Sequence, residues 1–169
     1  MTWNEFLWFA IPAIFCWLTA GIAIYVFRRE IGEWLMLGGI LIFAAFIVGL
    51  WIGQERPPMR TIGETRLWYS FFLSIVGFVT YKHWKYKWLL SFSGLMAFVF
   101  TCINIFKPEI HSKNLMPALQ SYWFVPHVTV YILSYAMLAA ATIASFIQLR
   151  RLNKGNPDNQ LYQLMDNLV

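Results

Sequence analysis

The stretch "WLMLGGILIFAAFIVGLWIG", residues 34–53, decides the fold. It holds 20 residues without a charged side chain, and as a helix it spans about 30 Å, the thickness of the hydrocarbon layer of a bilayer. Lipid offers no hydrogen-bond partners, so a single segment can cross it only as a helix that bonds its own backbone. The stretch therefore predicts a transmembrane helix.

The composition extends this interpretation to the whole chain. Its 169 residues are 59% hydrophobic and 19% aromatic, with only 12% charged, which lies outside the range of soluble domains. The net charge of +5 lies in short runs, and no basic stripe with interleaved aromatics indicates nucleic-acid binding. Cys16 and Cys102 lie inside apolar runs without CxxC spacing, so we expect them to be small buried hydrophobes.

Five apolar segments predict an all-α membrane protein, a bundle of about five transmembrane helices. We place the helices at about residues 6–27, 34–53, 62–81, 88–106 and 123–149. The third reaches full length only if it starts after Thr61, and "TIGE", residues 61–64, has the spacing of a helix-capping box. Residues 1–149 form the transmembrane region, and residues 150–169 are expected to be a cytoplasmic tail that continues into a missing half.

The basic residues of alternate loops predict the orientation of the bundle. One side holds eight: Arg28, Arg29, Lys82, Lys85, Lys87, Arg150, Arg151 and Lys154. The other holds five: Arg56, Arg60, Arg66, Lys107 and Lys113. The more basic side should be cytoplasmic, which makes the N-terminus extracytoplasmic and the C-terminus cytoplasmic.

The stretch "SYWFVPHVTVYILSY", residues 121–135, carries the main candidate for chemistry, His127. Pro126 suits the first turn of a helix, where its missing N–H is not needed. At helical spacing His127 shares a face with Tyr131, Ser134 and Leu138. An ionisable side chain at this depth is a functional candidate, but spacing alone favours an interfacial histidine bonded to a tyrosine or to water.

The other polar candidates lie in loops. His111 and His83 are expected to be solvated loop residues, and because no histidine lies mid-membrane, a transmembrane bis-histidine cytochrome is disfavoured. Arg56, Arg60 and Arg66 surround a double proline and could bind carboxylates, but the sequence alone favours a stiff, solvated turn.

Two stretches resemble the cytochrome c assembly protein family. They are "ERPPMRTIGETRLWYSFFLSIVG", residues 55–77, and "LMPALQSYWFVPHVTVYILSYAMLAA", residues 115–140. More narrowly, they resemble the haem-handling CcsA (ResC) subunit of system II cytochrome c synthase. The similarity covers about residues 34–169, and its most specific part is the pattern around His127.

The resemblance implies a function and partners. His127 would be an axial ligand to haem iron, and the b-type haem, bound non-covalently, would be the substrate. The protein would present haem at the extracytoplasmic face for covalent attachment to a CxxCH apocytochrome c, with a ResB-like membrane subunit, in the bacterial inner membrane. It would be part of a synthase (haem lyase) and inactive alone. The resemblance gives a role to His127 alone; that Arg56, Arg60 and Arg66 form a positive outer rim, able to bind carboxylates such as haem propionates, is a separate hypothesis from the loop sequence.

The chain also departs from the family pattern. A Trp-rich WGxxWxWD segment and a second outer histidine do not occur in these 169 residues, which is why we expect a missing C-terminal half. The alternative is a structural or assembly subunit of a respiratory or transport complex that binds no haem. Half of a small transporter is a weaker alternative, because the spans lack the charged residues of a substrate pathway.

Overall fold

The computed structural model describes residues 2–112, 114, 123–155 and 159–168. Lys113 lies outside this set. Residues 115–122, which begin the stretch 115–140 quoted above for the family resemblance, lie outside it as well. The described residues form six α-helices: α1 (Phe6–Val26), α2 (Arg29–Gln54), α3 (Ile62–Trp84), α4 (Lys87–Phe106), α5 (Phe124–Asn153) and α6 (Asn159–Leu168). Short 3-10 turns cover Trp3–Glu5 and Pro108–His111. Within the same residues, β pairing is limited to one bridge, Thr61 to Asn114, so the all-α prediction is confirmed.

Four helical stretches of the described chain are long and apolar enough to cross a membrane. They are Trp3–Val26, Arg29–Gln54, Lys87–Phe106 and Pro126–Asn153. The predicted number was five, and the difference is α3, which has 23 residues but is less apolar. Its first turns carry Glu64 and Arg66, and its last turn carries Lys82 and His83. The protein is an all-α membrane protein, while the orientation of its termini stays a prediction.

Several helices run beyond the predicted apolar limits. α2 begins at Arg29 instead of residue 34, and α5 continues to Asn153 instead of residue 149. Charged residues can be helical where a helix leaves the bilayer, so hydropathy marks the lipid-facing length and not the helix end.

The start of α3 is confirmed as predicted. The Thr61 hydroxyl accepts the Glu64 N–H at 3.2 Å, and the Glu64 carboxylate accepts the Thr61 N–H at 3.1 Å. These two bonds form the complete capping box that the spacing of "TIGE" indicates.

Successive helices α1 to α4 run in opposite directions, so the end of each helix lies beside the start of the next. α1 packs against α2 and α4, α3 packs against α4, and α5 packs mainly against α3 and α6. We call one end the His127 end: it holds the starts of α1, α3 and α5, the ends of α2 and α4, and the turn Pro108–His111. We call the other the basic end: it holds the ends of α1 and α3 and the starts of α2 and α4.

Small residues allow the closest helix contacts. A Cβ atom on Gly77 of α3 would lie 2.0 Å from the Ser93 Cβ of α4. On α5, one row of alanines at four-residue spacing is buried, as such rows predict: Ala136, Ala140 and Ala144. A second row with the same spacing, on α2, is exposed or half-buried among the residues that the structure describes: Ala45, Gly49 and Gly53.

Candidate functional site

His127 lies in the first turn of α5. α5 begins at Phe124, so Pro126 occupies a position where its missing N–H interrupts no helical hydrogen bond. The backbone N–H of His127 donates to the Trp123 carbonyl at 3.3 Å, which closes the first turn. The side chain is exposed, so its imidazole is accessible at the His127 end.

The imidazole opens onto a groove along α5. Its ring meets Tyr131 edge-to-face, with 4.5 Å between centroids and an interplanar angle of 89°. Tyr131 in turn stacks on Tyr135 at 6.0 Å. The groove has a volume of about 430 Å³, and it is lined by His127, Val130, Tyr131, Ser134, Tyr135 and Leu138.

The predicted face of α5 is confirmed, because His127, Tyr131, Ser134 and Leu138 all line this groove. Tyr135 was not among the predicted site residues, although a spacing of four residues from Tyr131 marks it as the next neighbour on the same helix face. The missed residue matters, since its ring extends the aromatic wall by one helical turn.

The groove offers one strong ligand atom and an aromatic wall. A neutral imidazole nitrogen is a good ligand for transition metals, and the aromatic rings can contact a flat apolar molecule. Over the described residues, no group of three or more His, Cys, Asp or Glu side chains could hold a free metal ion. A single imidazole can supply one ligand to a metal ion that another molecule already holds.

Arg56, one of the three predicted rim arginines, is held by a buried carboxylate. It donates to Glu64 through Nη1 at 3.2 Å and through Nη2 at 3.0 Å, and the Glu64 residue is 1% exposed. An ionised buried carboxylate needs such a partner, so Arg56 has a structural task in the turn between α2 and α3. The sequence predicted only the capping role of Glu64, and this ion pair was not predicted.

Arg60 and Arg66 keep more freedom. Arg60 uses its backbone N–H to donate to Glu64 at 2.6 Å, while its side chain is exposed. Arg66, on α3, is partly buried, and neither side chain forms a salt bridge within the described chain. Whether any of the three arginines faces a ligand stays a prediction.

The expectation that His111 is a solvated loop residue is wrong. Its ring stacks on Trp3 with 3.8 Å between centroids and 10° between planes, and it meets Phe6 edge-to-face at 6.1 Å. Gly63 makes the room, since a Cβ there would lie 2.7 Å from the His111 ring. Burial lowers the pKa of His111 below its ordinary 6.5, opposed by a hydrogen bond with the Asn104 backbone. His83, in contrast, is exposed, as expected.

The helices place the chain in the structural class of polytopic, all-α membrane proteins, and an accessible histidine lies where one helix begins. The family described as Cytochrome C assembly protein matches residues 59–169, about two thirds of the chain. The chain belongs to the cytochrome c assembly protein family, which confirms the resemblance seen in the sequence.

Similar curated proteins come from plants. Cytochrome c biogenesis protein CcsA of Cucumis sativus is 34% identical over 116 residues, which is 65% of this chain and 36% of that protein. CcsA of Panax ginseng is 32% identical over 114 residues, covering 65% and 35%. CcsA of Nandina domestica is 33% identical over 118 residues, covering 68% and 36%. The chain thus spans about a third of the length of these relatives, and no solved structure matches it.

Proposed function

We propose that the chain takes part in cytochrome c biogenesis by binding haem, as a substrate, through His127. The observation that carries the proposal is the position of the exposed His127 imidazole at the mouth of an aromatic groove on α5. Family membership supports the biological setting. The groove supports the chemistry, because it provides an axial ligand beside a wall that a flat macrocycle can contact.

The size and lining of the groove support the proposal of haem binding. The groove volume of about 430 Å³ falls within the range of small-molecule sites, which is roughly 300–1,000 Å³. Tyr131 and Tyr135 supply aromatic surface, while Val130 and Leu138 supply apolar surface. The edge-to-face contact from Tyr131 restricts the rotation of the imidazole and so directs its ligand nitrogen. Bound haem would supply an iron centre and two vinyl groups for attachment.

The proposed rim contains two of the three arginines that the sequence predicts. A guanidinium group suits a propionate because it can donate two parallel hydrogen bonds. Arg60 and Arg66 remain candidates for this role, whereas Arg56 already donates to Glu64. We keep the proposal for Arg60 and Arg66 alone.

The synthase activity itself belongs to a larger assembly in this proposal. The chain would hold haem at the extracytoplasmic face, and covalent attachment to a CxxCH apocytochrome c would need a Trp-rich segment, a second ligand and a ResB-like subunit. His127 would supply one ligand to the haem iron, and a second ligand would have to come from another part of the assembly. The proposal for this chain is haem presentation, and the bacterial inner membrane remains its predicted location.

Haem titration of the purified chain in detergent tests the proposal. The wild type should give a shifted haem absorption band that saturates at one equivalent, and His127→Ala should lose it. Added imidazole should restore the band in His127→Ala, because it replaces the missing ligand. His83→Ala is the matched control, since it removes an exposed histidine at the basic end. A spectrum that is the same in wild type and His127→Ala would contradict the assignment.

One observation favours the alternative of a structural subunit without haem. The imidazole of His127 packs on Tyr131, which is what a histidine that only anchors a helix end would do. That function predicts no saturable haem binding by the wild type, and no loss of cytochrome c maturation when His127→Gln keeps the size and polarity of the side chain.

A further inference from the structure

The basic end joins two turns into one surface. The connection between α1 and α2 contains Arg28, and the connection between α3 and α4 contains Lys85. Nη2 of Arg29 donates to the Lys85 carbonyl at 3.3 Å, which ties the two connections together. The ammonium group of Lys87 lies 5.9 Å from the centre of the Tyr25 ring, on the neighbouring α1. The two turns, and the cationic residues on them, therefore lie at the same end of the bundle.

Carboxylates balance only part of this charge. The surface holds five cations, and they are Arg28, Arg29, Lys82, Lys85 and Lys87. Its two carboxylates are Glu30, which is exposed, and Glu33, which pairs with Lys82 and lies 3.8 Å from Arg29. Tyr81 also donates to Glu33, at 3.1 Å. Within the described chain, Arg28, Lys85 and Lys87 are exposed and form no salt bridge, so the surface attracts anions.

The backbone at Lys85 gives a second indication. This residue ends α3 with φ 62°, in the left-handed region where helices usually place glycine. A lysine there is unfavourable for the backbone, yet it puts a cation at the point where the two turns meet. Strained positions cluster at functional sites, and in the described chain Glu55, at the end of α2, is the other non-glycine residue in this region.

We propose that the Arg28, Lys85 and Lys87 surface binds the phosphate group of an anionic phospholipid. A phosphate diester is attracted by exposed cations on neighbouring turns, and basic clusters at the ends of transmembrane helices recognise such headgroups. The ligand is a lipid, and not free phosphate, because exposed apolar and aromatic side chains on the adjoining turns of α1 and α2 can contact the acyl chains: Tyr25, Phe27 and Trp34. The proposal is independent of haem binding.

Quenching of tryptophan fluorescence by brominated lipids tests this site. Trp34, Trp84 and Trp88 lie at the basic end, so lipid bound there should quench them. The purified chain would be titrated with brominated phosphatidylglycerol or brominated phosphatidylcholine in mixed micelles. The wild type should prefer the anionic lipid, and each cation removed should lower that preference about fivefold.

Two pairs of variants separate the site from general charge. Arg28→Gln with Lys87→Gln should lower the preference, whereas Arg60→Gln with Lys107→Gln, which removes two exposed cations at the His127 end, should leave it unchanged. Lys85→Gly should lower it while raising the unfolding temperature, because glycine relieves the left-handed backbone. Glu55→Gly relieves the same backbone strain at the other end of the bundle and should keep the preference.

Three results would overturn the lipid site. The first is equal quenching of the wild type by the two lipids. The second is an equal loss of preference in the two double variants, which would reduce the effect to net charge. The third is displacement of the anionic lipid by inorganic phosphate but not by chloride at the same ionic strength, which would assign the surface to free phosphate.

Discussion

Arg56 and Glu64 form a two-bonded ion pair between the turn after α2 and the first turn of α3. The carboxylate belongs to a residue only 1% exposed, and it also accepts the N–H groups of Arg60 and Thr61. One buried side chain thus fixes both the α2–α3 connection and the start of α3. This relationship explains why a charged residue can lie inside a predicted transmembrane segment.

Removing the arginine should destabilise the fold. Arg56→Ala leaves the buried Glu64 carboxylate with its backbone donors only, and we expect a loss of about 2 kcal/mol, below the value for a fully buried pair because Arg56 is partly exposed. Thermal unfolding in detergent measures this loss. Arg60→Ala is the control, since Arg60 bonds Glu64 through its backbone, and equal losses in the two variants would contradict the importance of the ion pair.

His111 should make stability depend on pH. Because burial lowers its pKa in the folded protein, the unfolded chain takes up the proton first as the pH falls below 6.5. Stability should therefore be full above that value and fall with the pH until the lower, folded-state pKa is passed. Unfolding temperatures at about pH 7.5 and about pH 5 measure the difference. His111→Phe should reduce it, His83→Gln should not, and an unchanged pH dependence in His111→Phe would exclude His111 as its source.

Replacing two helical glycines by alanine should change the stability of the protein in opposite directions. Gly77→Ala puts a Cβ within 2.0 Å of the Ser93 side chain, so the helices must separate, at a cost of about 1–3 kcal/mol. Gly38→Ala meets no atom within 4 Å and should stabilise its helix by up to about 1 kcal/mol. Denaturation of both variants in the same detergent measures the contrast. Equal stabilities would show that α3 and α4 approach less closely than described.

Tyr131 should affect haem affinity through its ring. Tyr131→Ala removes the edge-to-face contact with His127 and should weaken haem binding about three- to tenfold, the value of one aromatic pair. Tyr131→Phe keeps the ring and should bind nearly as the wild type does. Titration of haem into each variant gives the ratio, with Tyr25→Ala at the basic end as the control. A defect in Tyr131→Phe as large as that in Tyr131→Ala would assign the effect to the hydroxyl group.

Sequence patterns over three or four residues correctly predicted the features that depend on interactions within one helix. The capping box of Thr61 and Glu64 and the shared face of His127 and Tyr131 depend on residues three or four apart, whose geometry a helix sets by itself. Apolar length predicted the helices α1, α2, α4 and α5. It also predicted the helix α3, which is less apolar than the other four and is not among the four candidate spans.

The errors involve contacts between distant parts of the chain. His111 was expected in water because its neighbours in sequence are polar, but Trp3 covers it and Gly63 makes room for it. The rows of small residues show the same limit: Ala136 and Ala140 are buried, whereas Ala45 and Gly53 are exposed. A row marks where a close approach is allowed, and only the arrangement of all helices decides which rows are used.

The pairing of Glu33 bears on the order in which the helices are made. Tyr81 and Lys82, its partners on α3, follow it by 48 and 49 residues, which ribosomes add in roughly 2–10 seconds. Arg29 lies one turn before Glu33 on the same helix, 3.8 Å away in the finished fold. The carboxylate therefore emerges with a counterion already on its own segment, so α2 can enter the membrane before the residues that later bind Glu33 have been synthesised.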